Sequence, residues 1–456
     1  MTAILTSTIL LALCVILFFS AAILSKYAPR REAVGMPAVV LSLWLVATAV
    51  WGRPFYEIKI PGFFDLTLDR ILLSIIILYL FAGLYTGSVS FKKNVAIELT
   101  MFAFALVCLA SMTMHGFLPE LPSFPSPWNN FINGYLCPFI AFLFAKFYIQ
   151  RSRDIRFIFN ALFLLGAYLA VTAFFEFFNL RDFVFPRYIS NPEILIHIDR
   201  ARGPFLNAAF NGAAITIGFI CGLHLLPEKK RGARALHIGL LCLSLPAIFF
   251  TQTRSAYIGF LITLVLFLRF YRTTFSKVTA FALPVALFLA LMLANIPRMA
   301  SQDRRQGGVV QTYELEIRMA LINRSVQIAA MGPFFGVGLG QFMPVATRSF
   351  PGEVASQSFL EELQHFHILG LLAELGIAGV ALYLTLIVLV FSRMSQLKRL
   401  LPDRGFISRN LVLALTAVWV VHLTTNLFLE PAYCLYFNAV PFTCAGLANG
   451  IYDRST

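Results

Sequence analysis

The fold is decided by three consecutive pieces, TYELEIRMALINRSVQIAAM (312–331), GPFFGVGLGQF (332–342) and HFHILGLLAELGIAGVALYLTLIVLVF (365–391). In the first, Leu315, Met319, Ile322 and Val326 recur on one apolar stripe while Glu314, Arg318 and Ser325 fall away from it, which predicts an amphipathic helix lying along a membrane surface. Pro333 ends that helix, and Gly336, Gly338 and Gly340 allow tight turns close to a neighbouring backbone. The third piece reads as a membrane span with His365 at its mouth. Gly376 follows eleven positions later, on roughly the same face of a continuous helix.

The rest of the chain is of the kind that surrounds such a stretch. Its 456 residues are 59% hydrophobic and only 13% charged, with a mean hydropathy of +0.79. One soluble core cannot hold that many apolar residues, so the expected class is an all-α polytopic membrane protein. All seven cysteines fall in or at the ends of apolar runs, and no disulfide framework or zinc site is readable.

Runs long enough to span begin near Ala3, Val34, Ile71, Val95, Phe131, Phe157, Ala208, His237, Ser255, Val278, Phe366, Asn410 and Cys434. That predicts 13 spans, with 12 as the alternative, and Lys26, Arg30 and Arg31 after the first run mark it as a retained span. Basic residues such as Lys92/Lys93, Arg151/Arg153, Lys229/Lys230 and Lys398/Arg399 occupy every second loop, which assigns those loops to the cytoplasm. Four regions result: an N-terminal bundle over 1–206, central helices carrying Arg254 over 207–296, a large outer loop over 297–365, and C-terminal helices over 366–456.

Of the nine lysines only Lys59 falls in an outer loop, whereas Arg200, Arg202, Arg254, Arg318 and Arg324 are among many arginines that do. The guanidinium is a planar fork that grips phosphate oxygens two at a time, so this outer face suits a phosphorylated ligand. The blander account is that these arginines snorkel or pair with outer glutamates. Glu176, Glu374, His422 and Glu430 lie in apolar runs, where an ionisable group marks either a function or an interhelical hydrogen bond.

Arg254 in TQTRSAYIG, Arg318 in EIRMALINRSVQIAAMGPFFGVGLGQF, and HFHILGLLAELGIAGV follow one another in an order that resembles the bacterial O-antigen ligase and polymerase superfamily. In that family a histidine, ten residues, then glycine follow a large periplasmic loop, and His365 to Gly376 has that spacing. RGPFLNAAFNG, with Arg202, Gly203, Phe205 and Asn207, resembles the family's glycine-phenylalanine-asparagine segment. The family often has asparagine after the histidine, where this chain has Phe366, and His367 stands nearby as a second imidazole.

The resemblance implies a GT-C-like fold in the bacterial inner membrane with its active site facing the periplasm. It also implies transfer of a glycan from an undecaprenyl-pyrophosphate carrier to a sugar hydroxyl. A sugar on pyrophosphate already has a good leaving group, so the protein must chiefly neutralise departing charge and activate the acceptor. Arg254 and Arg318 are the expected diphosphate contacts and His365 the expected base, giving inversion by direct displacement. Arg200, Arg202, Asn207 and Arg324 are the expected further substrate contacts.

No outer loop holds a paired-aspartate metal motif, Asp65 and Asp69 being the nearest approach, and no Walker-type sequence follows GVGLG; neither a metal nor a nucleotide cofactor is expected. The implied partners are the carrier-linked donor, a lipid A core or other glycan acceptor, and membrane lipids, with a chain-length regulator or export proteins beside them and no nucleic acid. A ligase-type acceptor is preferred, a polymerase is the alternative, and a lipid-linked oligosaccharide flippase is the second alternative. The flippase reading is weakened by polar density in one outer loop where paired midplane sites would be expected.

Overall fold

A computed structural model describes residues 34–51, 55, 67–89, 95–117, 126–194, 197–271, 283–301, 312–349, 366–429 and 434–456. The run at Ala3, together with Lys59, Asp65, His365 and Glu430, lies outside the described residues. Every regular element among the described residues is helical. The main helices are α1 Met36–Val50, α2 Leu68–Tyr85, α3 Ala96–His115, α4 Pro127–Tyr148, α5 Ser152–Phe177, α6 Ala208–Leu225 and α7 Arg231–Phe250. There follow α8 Arg254–Phe270, α9 Leu283–Ala294, α10 Thr312–Met331, α11 Phe342–Ser349, α12 His367–Leu400, α13 Arg409–Asn426 and α14 Leu435–Ser455. Each apolar run from Val34 onward therefore contains a helix, and among the described residues seven helices are long and apolar enough to cross a bilayer. The chain is an all-α polytopic membrane protein.

Two sets of contacts define the ends of the bundle. At one end Asp154 accepts from the Gly35 amide at 2.8 Å, Arg156 pairs with Glu228 at 2.8 Å, and a His224 ring nitrogen lies 3.1 Å from the Phe406 carbonyl. At the other, Tyr188 donates to the Val50 and Pro204 carbonyls at 3.1 and 3.0 Å, and the Ala201 amide donates to the Phe250 carbonyl at 3.2 Å. The alternation of ends along the chain matches the alternation of basic loops. The RGPFLN segment, the TQTR turn and the loop after α10 all belong to the second end, which is the end read as the outer face from the sequence.

Packing inside the bundle depends on small residues. A Cβ on Gly446 of α14 would come 2.3 Å from the Phe142 carbonyl oxygen of α4, and one on Gly450 would come 2.4 Å from that of Lys146. Glycine spaced at four along α14 thus lets the two backbones touch, which is how membrane helices gain van der Waals contact where apolar burial gives no advantage over lipid. Beside that seam Lys146 of α4 contacts the Glu98 carboxylate of α3 and lies 3.1 Å from Asp453 of α14, all three side chains being nearly buried. Asn449 adds a 3.4 Å contact to Glu98. A buried ammonium between two carboxylates ties three helices to one another, since removing any member strands the others in low dielectric.

Candidate functional site

The span after His365 is not one straight helix. Gly376 has φ 64° and ψ −164° in the middle of α12, and the rings of His367 and Tyr383 lie 5.0 Å apart. Sixteen positions in an unbroken helix would separate them by ~24 Å. The arm His367–Leu375 therefore folds back along the start of the second arm, with Gly376 at the apex. The helical repeat therefore stops at Gly376, where only Gly tolerates this φ without a Cβ penalty, and the expected relation of His365 to Gly376 lies outside the described residues.

The apex exposes backbone groups that a continuous helix would pair internally, and the glycine loop takes them up. Val337 and Gly338 donate to the Ala373 and Glu374 carbonyls at 2.9 and 3.0 Å, while Ile377 and Ala378 donate to the Pro333 and Phe334 carbonyls at 2.9 and 3.1 Å. The close approach requires the missing side chains, since a Cβ on Gly336 would lie 2.2 Å from the Glu374 carbonyl carbon and one on Gly376 would lie 2.4 Å from that of Phe334. Glu374 also accepts from the Phe342 amide at 3.3 Å, at the start of α11. Leu339 donates to Ser111 at 2.9 Å, fixing the loop to the end of α3. GPFFGVGLG is thus the partner strand of a broken helix, and Pro333 ends α10 as its sequence predicts.

The fold-back carries His367 into the bundle, 2% exposed. Its ring stacks at 25° on Tyr135 and meets Tyr383 edge-on at 81°. Tyr135 falls in a π-helical turn of α4, Ile132–Leu136, a local widening of the helix at this level. Sequence reading missed both tyrosines, whose only signal is a hydroxyl in an apolar run.

At the same end, the RGPFLN segment and the TQTR turn meet. The Asn211 amide donates to the Ala201 carbonyl at 3.1 Å, and Ala201 in turn donates to Phe250, one residue before Thr251. Asn207 is the N-cap of α6, accepting from the Ala209 and Phe210 amides at 3.0 and 3.3 Å. Arg202 is 1% exposed. Its guanidinium donates to the Ile189 carbonyl at 3.1 and 2.7 Å, to the Asn191 carbonyl at 3.2 Å and to the Ile194 carbonyl. It therefore holds the 187–194 loop. Burial pulls its pKa down from the guanidinium's ordinary value, with the Glu176 charge opposing that. Glu176 accepts from the Arg202 and Gly203 amides at 3.2 and 3.0 Å, which accounts for a carboxylate at the end of an apolar helix. Burial likewise raises the Tyr188 phenol from its ordinary value.

Of the other candidates, Arg200 lies 3.8 Å from Asp199. Arg254 is half-buried in the first turn of α8, beside the RGPFLN segment. Arg318 is half-buried and Arg324 is 2% exposed on α10. That helix packs Ile328 and Ala329 against Ala373 of the folded-back arm, while Met319 and Val326 of the apolar stripe are each 53% exposed. The arginines thus fall into two groups, Arg200, Arg202 and Arg254 around α6 and α8, and Arg318 and Arg324 on α10, the helix whose Ile328 and Ala329 pack against the folded-back arm.

No curated protein matches the chain. Residues 238–384 match the family model described as O-antigen ligase, and this segment, similar to the O-antigen ligase superfamily, takes in Arg254, Arg318, Arg324 and the whole glycine interlock.

Proposed function

We propose that this protein transfers a glycan from undecaprenyl pyrophosphate to a sugar hydroxyl at the periplasmic face of the inner membrane, with lipid A core as the acceptor. The observation that carries the reading is the family match over 238–384, because that one segment contains Arg254, Arg318 and the His365 to Gly376 spacing. Arg254 and Arg318 hold the diphosphate as forks, and His365 takes the acceptor's proton as the anomeric carbon–oxygen bond to phosphate breaks. His367 is stacked and buried, which suits a positioning role for it, and the base is assigned to His365 on its motif spacing to Gly376. Arg202 and Asn207 act on the site through the backbone they hold, and Arg200 and Arg324 extend the cationic surface.

The test is a reconstituted assay with carrier-linked glycan and core oligosaccharide acceptor. Release of undecaprenyl pyrophosphate with a glycosylated acceptor supports transfer. Movement of an unchanged lipid-linked glycan across the bilayer, with no release, would replace this reading with a flippase.

A further inference from the structure

The loop that closes the break in α12 carries two neighbouring phenylalanines on its outside. Phe334 and Phe335 are 68% and 72% exposed, with Met331 at the end of α10 and Ile377 at the start of the second arm of α12 exposed near them in the fold. Loop and arm share one surface, because Ile377 and Ala378 donate to the Pro333 and Phe334 carbonyls at 2.9 and 3.1 Å. Exposed apolar side chains of this size, side by side, mark a surface that something apolar covers.

The span below this surface says what covers it. Ile377, Leu384 and Val388 stand at i, i+7 and i+11, on one face of the second arm, and all three are exposed. On a helix long and apolar enough to cross a bilayer, such a stripe faces lipid. Beyond Val388 the next exposed positions are the polar Ser392, Ser395 and Gln396. An α-helix rises ~23 Å from Ile377 to Ser392 and ~29 Å to Gln396, against a hydrocarbon core ~30 Å thick. On either measure the apex at Gly376 does not clear the hydrocarbon, and the phenylalanine tip hydrogen-bonded beside it stands at the same level.

A loop can enter hydrocarbon only where its backbone groups are paired. Pro333 has no amide hydrogen to satisfy. The Pro333 and Phe334 carbonyls accept from α12, the Gly336 amide donates to the Gly332 carbonyl at 2.7 Å, and the Val337 amide donates to the Ala373 carbonyl at 2.9 Å. The interlock that stabilises the break therefore also suits this loop to lipid.

We propose that the Phe334–Phe335 tip is seated among the phospholipid acyl chains of the leaflet at this end of the bundle, where it anchors the glycine interlock at the membrane boundary. The sequence alone assigns these residues to an aqueous outer loop. The lipid-facing stripe of α12 then continues without interruption onto the loop, and the proposal does not rest on the transfer reading.

Tryptophan quenching tests it. Phe335→Trp exchanges one aromatic ring for another at an exposed position; the full chain is placed in phosphatidylcholine nanodiscs with plain or brominated acyl chains, and its fluorescence is read over the background of the four native tryptophans. Bromine quenches tryptophan on contact, and Val388→Trp on the lipid stripe sets the full effect. Phe335→Trp should lose at least half as much of its added fluorescence as Val388→Trp does, with little further quenching by aqueous iodide. Quenching by iodide and not by brominated chains would put the tip in water and overturn the proposal. Quenching by neither would mean that protein, a second copy or another partner, covers the tip, and would overturn it equally.

Discussion

The Val337 amide donates to the Ala373 carbonyl at 2.9 Å, joining the glycine loop to the folded-back arm of α12. That bond and its three companions stabilise the break at Gly376, because the Ala373 and Glu374 carbonyls and the Ile377 and Ala378 amides find partners in 333–338. The histidine motif and the glycine loop are consequently one structural unit.

Gly376→Ala tests the unit. A left-handed φ costs a non-glycine residue roughly 1–2 kcal/mol, and here the added Cβ would also lie 2.4 Å from the Phe334 carbonyl carbon. Gly87 has a similar φ of 67° with nothing within 4 Å of its Cβ position. Thermal unfolding in detergent should fall clearly further for Gly376→Ala than for Gly87→Ala. Equal losses would mean that the loop does not depend on the close approach.

Two arginine substitutions should separate structure from chemistry. Arg202→Lys removes the fork that holds three carbonyls of the 187–194 loop, and should destabilise the protein by about 1–3 kcal/mol, the range for stranding buried hydrogen-bonding groups. Arg254→Lys and Arg318→Lys keep their charge and should leave stability nearly unchanged while most transfer is lost, because a point charge cannot replace bidentate grip. Full transfer in either lysine variant would return that arginine to the solvated surface.

The lysine between two carboxylates gives a third outcome. Lys146→Met leaves Glu98 and Asp453 facing each other in the bundle, and breaking a buried ion pair typically costs about 3–5 kcal/mol. Adding Glu98→Gln should recover part of the lost stability. No recovery in the double variant would show that the lysine acts by packing and not by charge.

How much of this the sequence discloses follows from what each feature depends on. The helices are legible because bilayer thickness forces long apolar runs, and every run from Val34 onward holds one. The loop turns are legible from Pro333 and the three glycines. The fold-back at Gly376 is not, since ILGLLAELGIAGV has one hydropathy on both sides of the break; only the pairing with 333–338, forty residues earlier, reveals it. Arg202 reads as a phosphate ligand because its carbonyl partners are backbone groups, which any sequence supplies. The buried tyrosines around His367 leave no period at all.

The central claim is that a single imidazole takes the acceptor's proton while separate arginines hold the donor. His365→Ala in the reconstituted system, with donor binding and glycan transfer measured on the same sample, tests it most directly. Transfer should fall about 10²- to 10⁴-fold, the usual loss for a general base, with binding of carrier-linked glycan nearly unchanged. Wild-type transfer rates in His365→Ala would contradict the account.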